Sequence, residues 1–75
     1  MDGIMKKYEE AFSFHVAVYD DLMANHPENA ERWQHDLNKE LWAVIMVASY
    51  DDEVMPEQIE ELHSRREVLI YGHTL

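Results

Sequence analysis

Histidine and carboxylate are the residues of this sequence best suited to chemistry. Five histidines stand among sixteen acidic residues in a chain of 75, and the two types at helical spacing can bind a metal or move protons. Glu60-x-x-His63 has the i, i+3 spacing of carboxylate-bridged di-metal bundles, and Glu31-x-x-x-His35 puts two ligand types on one helical face. A di-metal bundle needs two such motifs and two further inward-pointing glutamates. Only one Glu-x-x-His is present, and Glu60 falls on the polar side of its helix. These residues read as surface neighbours, so neither a metal nor a cofactor is expected. Asp51-Asp52-Glu53 resembles the start of a calcium loop in charge only, since the alternating ligands and central glycine are missing.

Nucleophilic chemistry has no better footing. The serines are Ser13, Ser49 and Ser64, none of them in a glycine-rich turn, and two glycines cannot build a phosphate cradle. Without cysteine there is no thiolate nucleophile and no cysteine-ligated zinc. A non-enzymatic protein is expected.

Charge is the stronger functional signal. Sixteen acids against six bases give a formal charge of −10, while 47% of the residues are apolar. That apolar share is too high for an acidic disordered tail, so the composition describes a folded core beneath a negative surface. Such a surface repels nucleic acid and anionic membrane and favours cations or basic protein surfaces. From Asp51 to Glu61 there are six acids and no base. Asp51, Asp52, Glu53, Glu57, Glu60 and Glu61 are therefore the expected partner-binding residues. The corresponding function is a regulator or inhibitor that covers a basic surface of a larger protein. Its carboxylates would stand where phosphates would, as in a nucleic-acid mimic. The plainer role of the same charges is solubility. The alternatives are a structural protein that dimerises without an electrostatic partner, and a small His/carboxylate metal-binding bundle.

Three elements must position these residues in one expected domain, 1–75. Pro27 and Pro56, each followed by a glutamate, read as helix starts, because proline suits the first turn and opposes helix in the residue before it. The predicted helices cover 2–25, 28–50 and 56–71, with Gly72 as a C-terminal cap. In the first, Ile4, Met5, Tyr8, Phe12, Val16, Val18, Tyr19 and Leu22 share one arc at 100° per residue, with His15 near its middle. Phe12, Phe14, Val16 and Val18 also alternate as a strand would, but the longer window favours helix. His15 is expected to be hydrogen-bonded in a core or interface, with a pH-sensitive contact as the sharper alternative.

The second helix carries Ala30, Trp33, Leu37, Leu41, Val44 and Ala48 on a stripe, and from Leu41 to Ala48 it is apolar on every side. Two neighbours in so short a chain cannot easily cover such a helix. A second copy could, through Leu41, Trp42, Ile45, Met46 and His15. In the third helix Ile59, Leu62, Leu69 and Ile70 share a face, and Arg66 among them must snorkel outward or meet a carboxylate. Val68 to Tyr71 is β-prone. The expected architecture is all-α: an antiparallel three-helix bundle that completes its core as a homodimer. No secretory signal is read at the start, and the run from Leu41 to Ala48 is far short of the roughly 20 apolar residues that span a bilayer. A cytoplasmic protein without membrane or direct nucleic-acid contact is expected.

Overall fold

A computed structural model describes residues 3–72. Helix α1 runs Gly3–Asn25, a 3-10 turn covers Pro27–Asn29, α2 runs Ala30–Ser49 and α3 runs Pro56–Tyr71. The three expected helices are present with their ends displaced by a few residues at most. Both β-prone stretches, 12–19 and 68–71, are helical. Helical register gathers Phe12, Val16 and Tyr19 against the core, a burial that strand alternation would have split between two faces.

Each boundary has a local cause. Pro27 and Pro56 stand at the first helical positions, where a missing N–H costs no bond. The Trp33 indole N–H donates to the His26 carbonyl at 2.9 Å and ties the first connection to α2. At the start of α3, the Gln58 side-chain oxygen accepts the Met55 N–H at 2.8 Å, satisfying a donor that the helix leaves open. Gly72 ends α3 at φ 67°, a left-handed conformation open to glycine at little cost, and its N–H donates to the Val68 carbonyl.

Helix α2 lies between its neighbours and packs against both. Its start meets the end of α3 where Gln34 donates to the Ile70 carbonyl at 2.6 Å, and its end meets the start of α1 where Tyr8 reaches Asp51. Both neighbours therefore run antiparallel to α2, and α1 and α3 run parallel to each other. Met5, Tyr8 and Phe12 of α1, Leu37, Leu41, Ile45 and Ala48 of α2, and Leu62 and Ile70 of α3 form the buried core. No helix among the described residues is long and apolar enough to cross a membrane.

Arg66 is the charged member of this interior, only 5% exposed. Its guanidinium donates to the Asn38 side-chain oxygen at 2.8 Å and lies over the Trp42 ring at 4.6 Å. The carboxylate that could neutralise it, on Glu67, is 3.9 Å away, and the buried Nε finds no acceptor. Instead of choosing between snorkelling and an ion pair, the arginine is held by an amide, an aromatic face and a distant carboxylate.

Candidate partner-binding surfaces

The acidic stretch from Asp51 to Glu61 divides into two kinds of residue. Asp51 is committed to the fold. One carboxylate oxygen accepts the Tyr8 hydroxyl at 2.6 Å, with the Lys7 ammonium at 3.6 Å, and the other accepts the Glu53 N–H at 3.0 Å. It thereby shapes the connection between α2 and α3 and clasps it to α1. The Tyr8 hydroxyl and the Glu53 N–H both favour the ionised acid, so the Asp51 pKa lies below its ordinary value. The same bond raises the Tyr8 pKa, because the tyrosine must give up its proton beside a carboxylate. Asp51 was expected at a partner surface but is held in this clasp. Asp52, Glu53, Glu57, Glu60 and Glu61 are exposed.

Glu57 and Glu61, one turn apart on α3, lead into a groove between α1 and α3. Both helices pack on α2, and between them they leave an open trough of about 590 Å³. Phe12, Val16 and Ala17 line it from α1, and Val68 and Leu69 from α3, with Asp20 and Glu61 on opposite edges. Arg65 also lines it, over the Phe12 ring at 5.8 Å and with Glu9 at 3.7 Å. Glu9 offsets that positive charge. Asp20 and Glu61 have no ion-pair partner among the described residues, so the apolar trough keeps a negative rim. This site was not among those expected from the sequence, and Leu69 was expected on the core face with Leu62 and Ile70. In the structure Leu69 and Val68 are exposed to the groove, because α3 turns Leu62, Arg66 and Ile70 toward α2. The available signal was the width of α3's apolar arc, too broad for a helix that meets chiefly one neighbour.

A second apolar surface lies on the outside of α2. The run Leu41 to Ala48 is apolar all round, but its residues have two destinations. Leu41 and Ile45, expected at an interface with a second copy, are 0% and 2% exposed and belong to the chain's own core. Met46 and Val47 are 55% and 61% exposed, and with Trp42 and Tyr50 they form an outward stripe. Trp42 rests on Arg66 and meets the edge of the His63 ring at 4.9 Å. His15 is half-buried on α1, with its ring edge-on to Phe14 at 5.4 Å. It lines a shallow depression with Glu40 and Val44 that adjoins the stripe at Val47.

Among the described residues, no group of three or more histidines and carboxylates is placed to hold a metal ion. Glu31 and His35 are both exposed, and His63 turns to Trp42 while Glu60 faces solvent. Comparison with protein-family models, with curated proteins and with solved structures found no match.

Proposed function

We propose that this protein is a non-enzymatic interaction module, a regulator or inhibitor that binds a basic surface of a larger protein. The observation that carries this reading is the apolar trough between α1 and α3, lined at its walls by Asp20 and Glu61, with Glu57, Asp52 and Glu53 exposed in the sequence just before Glu61. Apolar walls supply affinity by removing area from water, and an acidic rim steers a basic partner and rejects anionic ones. On such a partner the carboxylates stand in for phosphates, the role of a nucleic-acid mimic. The test is capture from a lysate with the immobilised chain. A bound protein should elute as salt rises. A chain with Asp52, Glu53, Glu57 and Glu61 changed to lysine should fail to retain it while keeping its helical circular dichroism. A partner retained equally by both chains and at all salt concentrations would overturn the reading.

A second reading concerns self-association, and the α2 stripe favours it. From Leu41 to Tyr50 the helix carries no charged residue, so two copies can bring Trp42, Met46, Val47 and Tyr50 together without opposing like charges. The dimer proposed on this face is two-fold, and it leaves the groove free.

A further inference from the structure

We infer that the occupant of the α1/α3 groove is one amphipathic α-helix with a basic flank, which lies between α1 and α3 and completes a four-helix arrangement. The inference rests on the basic-partner reading above and names the form that partner takes.

The groove's walls decide the secondary structure of the occupant. Both are uninterrupted helices, so their backbone N–H and C=O groups are paired within α1 and α3. An extended peptide would find no ladder to join and would bring its own backbone groups against apolar side chains. A helix satisfies its backbone internally and presents only side chains, whose ridges fit the trough between two others. The lining runs from Phe12 to Asp20 on α1 and from Glu61 to Leu69 on α3. At 1.5 Å per residue that is about 12 Å, enough for two to three turns of a docked helix.

Charge decides the occupant's chemistry. Apolar side chains at i, i+3 or i+4 and i+7 would cover Val16, Ala17, Val68 and Leu69. Residues to either side of that strip would meet Asp20 on the α1 wall and Glu61 on the α3 wall. Lysine or arginine at those flanks pairs with acids that have no ion-pair partner among the described residues, whereas acids there would face like charge. A second copy of this chain fits poorly, because it brings a further formal charge of −10 to the same rim. The groove is thus suited to a different, basic chain.

The experiment titrates the isotope-labelled protein with three synthetic peptides of equal length, followed by NMR. The first is a lysine/leucine helix with one apolar face, the second scrambles its residues to remove the face, and the third replaces lysine by glutamate. The first peptide should bind at least tenfold more tightly than the others and shift resonances of 12–20 and 61–69 rather than those of 42–50. Changing Ala17 and Ser64, both exposed on the lining, to arginine should fill the trough and weaken binding at least tenfold, while Val47→Arg on the α2 stripe leaves it unchanged. Equal binding of the first and second peptides would overturn the helix while leaving a basic partner in place. Shifts confined to 42–50, insensitivity to the two groove substitutions, or no binding by the first peptide would also overturn it. The basic-partner reading stands or falls separately, on salt-sensitive capture by the intact chain.

Discussion

The groove between α1 and α3 and the outer stripe of α2 expose similar side chains but differ in what surrounds them. The groove sets Val16, Val68 and Leu69 between carboxylates and has the buried Phe12 as its floor. The stripe sets Trp42, Met46 and Val47 on α2, with Tyr50 at its cap, along a stretch that has no charge from Leu41 to Tyr50. Apolar area gives both a reason to be covered, but only the first carries charges by which a partner could be selected. The difference also reaches into the fold. The groove's floor is continuous with the core, while the stripe is largely exposed and meets the interior at Trp42, which lies under Arg66, and at Val47, beside Tyr8 and Ala11 of α1.

The largest effect should come from the groove's floor. Phe12→Ala removes a ring that is almost fully buried, and truncations of this kind cost about 3 to 4 kcal/mol. Met46→Ala on the stripe should cost no more than about 0.5 kcal/mol. Urea unfolding of both variants checks the contrast, and equal losses would break it.

Next comes the link between stripe and core. Asn38→Ala takes the acceptor from a buried guanidinium whose Nε is already without one, a loss of about 2 to 3 kcal/mol. Arg66→Met removes the charge together with its need for partners, and should change stability by no more than about 1 kcal/mol. Finding the methionine variant to be the less stable of the two would mean that the cation itself, and not its satisfaction, holds α3 to α2.

The clasp at Asp51 should yield a smaller, pH-dependent effect. Asp51 titrates below its ordinary 3.8 in the folded chain, so its contribution is complete above that value and is lost as pH falls through the folded one. Tyr8, raised above 10.0, contributes fully below that value and loses its contribution as pH rises through its folded pKa. Tyr8→Phe should lower the melting temperature at neutral pH, and the gap to the parent should narrow once Asp51 is protonated. A gap that is constant from neutral to strongly acid pH would show that the clasp contributes only packing.

Smallest in stability is the stripe itself. Val47→Glu should leave unfolding of the dilute, dissociated chain within about 0.5 kcal/mol of the parent, because the side chain is exposed in the monomer, yet convert a dimer at micromolar concentration into monomers. Light scattering checks this. A parent of monomer mass over a wide concentration range would remove the stripe from the comparison.

The two surfaces were not equally legible in the sequence. The helices were, because Pro27, Pro56 and Gly72 mark ends by their own backbone restrictions and the apolar period does the rest. The uniform run Leu41 to Ala48 revealed that some apolar area would be left uncovered, but it could not say which side. Leu41 and Ile45 were sorted from Met46 and Val47 by where α1 and α3 dock on α2, a tertiary matter. Likewise, counting acids located Asp51 to Glu61 but could not separate Asp51, bonded to a tyrosine 43 residues away, from the exposed acids around it. The groove was hidden because Phe12, Val16, Val68 and Leu69 lie on two helices that are remote in sequence and meet across a third.

If negative charge around the groove drives recognition of a basic partner, as proposed, the association rate is where it acts first. Stopped-flow mixing with the lysine/leucine helix should show the rate constant falling at least about tenfold between roughly 50 and 200 mM salt. The chain with Asp52, Glu53, Glu57 and Glu61 changed to lysine should associate slowly at both, with the dissociation rate altered much less. An association rate that responds neither to salt nor to the reversal would contradict the account.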